Sequence, residues 1–101
     1  MINEEDLKLD EIDRVIHEPA RLSIMIHLSI LLKADFTYLL CRTKLSRGNL
    51  SVQLQNLENA GYIEIQKEFV KRVPRTMVSL SEKGEEALKT YRKHLTEVLS
   101  L

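Results

Sequence analysis

Between Leu45 and Ile63 a helical period of leucines lies opposite a side with almost no charge, a combination few folds accommodate. With a helix rotation of about 100° per residue, Leu50, Leu54 and Leu57 fall on one stripe. Gly48, Asn49, Ser51, Val52, Gln55 and Asn56 share the opposite arc. An ordinary solvated face would carry Glu and Lys, whereas this one holds a single cation, Arg47, and no acid before Glu58. Amides and hydroxyls both donate and accept hydrogen bonds, which is the chemistry that reads base edges in a nucleic-acid groove. Gly48 adds a second signal. A glycine inside a helix costs about 0.5–1 kcal/mol relative to alanine, so its position at the start of this face implies a close backbone approach from outside.

A length of 101 residues, 44% hydrophobic and 30% charged, fits one domain with a modest core and leaves no room for a separate ligand-binding domain. No apolar run reaches the roughly 18–20 residues of a membrane span, and the acidic start lacks the basic-then-apolar layout of a secretory signal. A cytoplasmic protein is therefore expected. Cys41, the single cysteine, cannot form an internal disulfide or a multi-thiolate metal site, and is expected to be a small buried apolar residue. His17, His27 and His94 have no ligand spacing, and no serine, carboxylate pair or glycine-rich loop is arranged for catalysis. Neither an enzyme nor a bound cofactor or metal is expected.

The formal net charge is zero but unevenly distributed. Residues 1–18 carry seven acids against two bases, a net of minus five. Residues 19–80 carry nine bases against four acids, a net of plus five, and the remainder is balanced. Exposed charges more than about 8 Å apart are largely screened at physiological salt, so a basic middle can bind phosphates beside an acidic start.

Along the chain, the pattern predicts five helical segments and one hairpin. Asp10 is a good N-cap for a helix over 10–17 bearing Ile12, Val15 and Ile16. Pro19 ends it and opens a second helix over about 19–33, apolar nearly all round, which must be covered on both sides. Thr37 is the expected cap of a brief third helix with Leu39 and Leu40, and Ser46 the cap of the leucine-striped helix over 46–60. Thr43-Lys44-Leu45 joins them, the spacing of a helix-turn-helix. Gly61 suits a left-handed helix end. Tyr62–Phe69 and Thr76–Leu80 then read as strands around a tip, 70–75, holding Lys71, Arg72 and Arg75. Ser81 caps a long last helix whose Ala87, Leu88, Tyr91, Leu95, Val98 and Leu99 recur at helical steps beyond what a small core can cover.

This succession, with Pro19-Ala20-Arg21-Leu22 opening the main helix and Leu80-Ser81-Glu82-Lys83-Gly84 after the hairpin, resembles the winged helix-turn-helix transcriptional regulators, in particular the small MarR-like and ArsR-like prokaryotic and archaeal families. The run Gly48 to Ile63 carries the most specific part of the likeness, matching a recognition helix and its glycine-aromatic-isoleucine step into the wing. The resemblance implies base contacts from Arg47, Asn49, Ser51, Val52 and Gln53, and backbone contacts from Lys71, Arg72 and Arg75. The glycine often found between the two helices is missing here, as is the cysteine-rich motif of the metal-sensing branch.

The expected fold is mainly α with a β-hairpin wing (α+β), a single winged-helix domain over 1–101. It divides into an N-terminal helix (10–17), the helix-turn-helix and wing (19–80) and a C-terminal dimerisation helix (81–101). The expected function is a homodimeric, sequence-specific repressor on a pseudo-palindromic double-stranded operator. Asn49, Gln53 and Asn56 supply amides suited to adenine, Arg47 contacts a phosphate or guanine, and Val52 meets a thymine methyl. Leu9, Ile12, Ile16, Leu88, Tyr91, Leu95 and Leu99 are the expected dimer contacts. The alternative is a winged helix used for protein–protein interaction in a larger assembly, which the neutral charge and acidic start favour.

Overall fold

The computed structural model describes residues 9–100. A 3-10 turn, Leu9–Glu11, precedes α1 (Pro19–Leu31), β1 (Lys33–Asp35), α2 (Phe36–Thr43), α3 (Arg47–Asn59), β2 (Ile63–Val70), β3 (Val73–Leu80) and α4 (Glu82–Leu99). The expectation of a helix-turn-helix followed by a hairpin wing and a closing helix holds. The three strands form one antiparallel sheet in the order β1-β3-β2.

Each helix starts on a side-chain cap that satisfies an otherwise unpaired amide. Glu18 accepts from the Arg21 amide, Asp35 from Tyr38, Ser46 from Asn49 and Ser81 from Gly84. For α2 the cap is thus Asp35 and not the expected Thr37. Lys44, at φ 60°, takes the left-handed position between α2 and α3 that a glycine often fills. Gly61, at φ 81°, ends α3 with paired bonds, its own amide to the Glu58 carbonyl and that of Tyr62 to the Leu57 carbonyl.

Three boundaries differ from the sequence expectation. The helix expected over 10–17 is absent: only Leu9–Glu11 is helical, as a 3-10 turn. Asp13 explains this, because its Oδ1 accepts from the amides of Val15 and Ile16, offering the backbone a turn in place of a helix. Second, α1 stops at Leu31, and Lys33–Asp35 pairs with Met77–Ser79 as a short strand that shows no alternation of its own. Third, the wing is longer and its tip tighter than expected. Strands pair through Val70 and Val73, leaving Lys71 and Arg72, both at positive φ (52° and 68°), as a two-residue turn. Arg75 therefore lies within β3 and not on the tip.

A single core joins all these elements. Ile24, Met25 and Leu28 of α1, Leu39 of α2, Leu50 and Leu57 of α3 and Val78 of β3 are fully buried. Ala34 and Ile65 flank Val78 in register, so the middle of the sheet lies against the helices. Gly84 is required where α4 packs on Tyr62, the residue before β2: a Cβ there would sit 2.0 Å from the Tyr62 carbonyl oxygen.

This packing gives several of the expected dimer contacts a role within the protomer. Ile12, Ile16, Leu88 and Tyr91 are buried in the protomer's own core, and Leu88 and Tyr91 also form the floor of an open groove between α1 and α4. Leu9 and Leu99 are exposed and Leu95 is partly buried. On α1, Ile26 and Ile30 face outward uncovered. Cys41 is exposed, contrary to the expected buried role.

Candidate nucleic-acid interface

The outward face of α3 is open along its length. Arg47, Gly48, Asn49, Ser51, Val52, Gln55 and Asn56 are all exposed, while Leu50, Leu54 and Leu57 anchor the helix from beneath. Val52 is 56% exposed, an apolar side chain that the protomer does not use. Gly48 is equally unused, since a Cβ built there meets no atom within 4 Å. Nothing in the chain's own packing demands glycine at this position.

Gln53 behaves differently. It sits about 60° from Leu50 around the helix, on the shoulder between the buried stripe and the outer arc, and is half-buried. Its Oε1 accepts from Arg21 Nη1 at 2.8 Å, and its Nε2 donates to Asn49 Oδ1 at 3.0 Å. The free amide expected at Gln53 is therefore already engaged.

The wing joins this face through the start of α2. Arg75 Nη1 lies 3.6 Å from Asp35 Oδ2, and the next residue, Phe36, has the Arg47 guanidinium 5.9 Å from its ring centroid. Arg75 of the wing, the Asp35 cap of α2 and Arg47 in the first turn of α3 are thus linked side by side through Phe36. Arg75 partly spends its charge on Asp35, whereas Lys71 and Arg72 are exposed at the tip and take part in no ion pair among the described residues. Left-handed backbone costs a non-glycine residue about 1–2 kcal/mol, and Asn-Gly is the usual choice for such a turn. Two long cations there sacrifice local stability for charge at the farthest point of the hairpin.

Behind the interface, a brace fixes the N-terminal segment. Tyr62 donates its hydroxyl to Asp13 Oδ2, and His17 Nδ1 lies 2.8 Å from the Tyr91 hydroxyl. Burial, followed by the hydrogen bond to and charge of Asp13, pushes the Tyr62 hydroxyl up to about 12. Burial and the same carboxylate also raise Tyr91. The braced segment presents the carbonyls of Arg14 and Val15 to the Arg21 guanidinium. His94 approaches Glu11 at 3.7 Å, a structural contact.

Sequence reasoning missed Arg21, Asp35 and Phe36 as parts of this region. Arg21 carried a signal, being the lone cation in the apolar stretch 19–32, but its target lies 32 residues away and no local pattern points to it. Phe69, 79% exposed and in register with Pro74 near the wing tip, was likewise read only as a strand residue. Among the described residues no group of His, Cys, Asp and Glu is placed to hold a metal, and no helix is long and apolar enough to cross a membrane.

A capped helix exposing amides and a backbone without a side chain, beside a cation-tipped antiparallel hairpin, defines a winged-helix nucleic-acid-binding module. Residues 20–99 match the model of the winged helix DNA-binding domain family, and the chain belongs to that family. It is similar to an uncharacterized protein of Methanocaldococcus jannaschii, 31% identical over 88 residues that span 87% of this chain and 92% of the relative. Among solved structures it is similar to a transcriptional regulator homologue of Pyrococcus horikoshii, with a TM-score of 0.83, 29% identity and coverage of 95% and 92% of the two chains. NadR in complex with 4-hydroxyphenylacetate shares the fold, with a TM-score of 0.69, 18% identity and coverage of 96% of this chain and 67% of that one. A MarR-like transcriptional regulator of Thermotoga maritima does so too, at 0.61 and 17%, with coverage of 99% and 64%.

Proposed function

We propose that the protein is a sequence-specific transcriptional regulator that binds double-stranded DNA as a homodimer. The observation that carries this reading is the outer face of α3, exposed and, from Gly48 through Leu57, uncharged, linked through Phe36 and Asp35 to the wing. In this reading α3 enters the major groove. Asn49, Ser51, Val52 and Asn56 meet base edges, Gln53 acts mainly through Asn49, and Arg47 takes a phosphate or guanine. Lys71 and Arg72 at the tip contact the backbone or the minor groove, with Arg75 supporting them from within the strand. The likeness to the Pyrococcus horikoshii regulator homologue supports a role in transcription.

The dimer surface in this proposal differs from the one expected from sequence alone. Leu22 and Ile26 of α1 and Leu88, Tyr91, Leu95 and Leu99 of α4 line one open groove, and Leu9 is exposed but is not part of its lining. A twofold pairing across that groove would cover α1's bare outer side. Two copies of α3 would then meet successive major grooves about 34 Å apart on a pseudo-palindrome. Repression is the simplest mode, since occupying a promoter blocks polymerase without any further surface.

A gel-shift titration against genomic fragments at two salt concentrations tests the reading. Regulation by DNA binding requires retention of specific fragments with an affinity that falls steeply as salt rises. A winged helix acting only as a protein adaptor would give no salt-sensitive retention. Sedimentation of the full chain beside an Ile26→Glu, Leu99→Glu variant tests the dimer: equal monomer masses for both would remove it.

A further inference from the structure

Three residues form a hydrogen-bonded line whose direction is not free. Arg21 Nη1 donates to Gln53 Oε1, and Gln53 Nε2 donates to Asn49 Oδ1, at 2.8 and 3.0 Å. Amide oxygens and nitrogens are ordinarily interchangeable in such a line, and the hydrogen-bond network decides between them. Here it decides uniquely, because a guanidinium has five N–H groups and no acceptor. Gln53 must turn its oxygen to Arg21 and its NH2 to Asn49, so Asn49 must turn its oxygen inward and its NH2 outward.

Arg21 is itself fixed. Its Nε and Nη2 donate to the carbonyls of Val15 and Arg14, and its backbone amide is held by Glu18. With a side chain 17% exposed and its guanidinium engaged by Gln53 and two carbonyls, it acts as a half-buried clamp and not a phosphate ligand. The outer end of the line, exposed Asn49, consequently presents its NH2 outward while its oxygen is held inward by Gln53.

From this polarity we infer that Asn49 selects guanine, with Arg21 as the positioning residue that sets the choice two side chains away. Guanine is the base with two acceptors, N7 and O6, on its major-groove edge. Adenine would place its N6 amino group against another amino group. The bidentate asparagine–adenine pairing expected from residue type alone requires an Asn49 oxygen that faces inward here. This inference rests on the base-reading role proposed for α3 and adds the identity of the base.

The test uses the full-length protein and duplexes selected from genomic fragments. Asn49→Ala locates the base pair whose discrimination is lost, and that pair is then varied. Wild-type protein should prefer guanine there over adenine by roughly five- to hundredfold, and 7-deazaguanine should forfeit roughly tenfold of affinity. Gln53→Glu keeps an acceptor for Arg21 but removes the NH2, so Asn49 turns its own NH2 inward and its oxygen out. Preference at that one pair should pass to cytosine or adenine, whose amino groups donate. Arg21→Met, which frees the line to reverse, should bring guanine and adenine to near equality there without changing affinity for random DNA. Adenine preferred by the wild type, guanine still preferred by Gln53→Glu, or equal weakening of all duplexes by Arg21→Met would each overturn the inference. Absence of any salt-sensitive binding by the wild type would instead overturn the underlying DNA-reading role, and is recognised before any variant is made.

Discussion

Replacing Gly48 by alanine separates what α3 needs for its own fold from what it needs for a partner. Gly48 is the second residue of α3, exposed and helical, and a Cβ added there meets no atom within 4 Å. The variant therefore gains helix propensity and loses unfolded-state entropy with no steric penalty, together about 0.5 kcal/mol in a first turn. For a domain of this size that raises Tm by about 2–4 °C, measurable by circular dichroism. On DNA the sign reverses. If the first turn of α3 lies against the sugar-phosphate backbone, the methyl must displace that contact, weakening affinity by about 1 kcal/mol or more, or fivefold upward. Fluorescence anisotropy on a selected duplex and on random DNA reads this directly. A more stable protein with unchanged affinity would refute the close approach and reduce Gly48 to tolerance at a helix end. A less stable protein would refute the claim that the fold leaves the site empty.

Gly84→Ala should behave oppositely: its Cβ would stand 2.0 Å from the Tyr62 carbonyl oxygen, so α4 must shift, and urea denaturation should show a loss of about 2 kcal/mol or more. Tyr62 makes stability fall at alkaline pH. Its folded pKa of about 12 exceeds the ordinary 10.0, so its contribution is complete below pH 10 and disappears between 10 and 12. Denaturation midpoints measured across that window should fall more gently in Tyr62→Phe. Lys71→Ala with Arg72→Ala should weaken specific and random DNA alike and reduce the salt slope by about 0.9 for each phosphate no longer neutralised, measured by anisotropy at several salt concentrations. Arg75→Ala, removing a cation already engaged by Asp35, should change that slope less than either tip residue does.

What the sequence made legible was local. The Ser46 cap, the leucine stripe and Gly61 lie within one short stretch, and each signals through its immediate neighbours, so α3 is recognisable from end to end. The illegible parts depend on partners distant in the chain. β1 exists because Lys33–Asp35 meets Met77–Ser79, and three residues cannot declare a two-residue period. The pattern assigned the cap to Asp10, whereas Asp13 holds a turn, helped by the Tyr62 hydroxyl 49 residues on. Ile12 and Ile16 fit an amphipathic helix as well as a buried turn, so periodicity assigned them to a partner when they belong to the protomer's own core. At the interface, exposure at Asn49, Val52 and Asn56 follows from helix geometry alone, but Gln53 on the shoulder needed Arg21 in three dimensions before its engagement could be seen.

Chemical footprinting of the wild-type protein on a genomically selected duplex tests the central claim most directly. If α3 enters the major groove of each half-site, dimethyl sulfate should show guanine N7 protected in two patches about one helical turn, 10–10.5 base pairs, apart. Hydroxyl radicals should show the backbone shielded where the wings lie. Saturating binding that leaves every guanine N7 reactive would contradict the account.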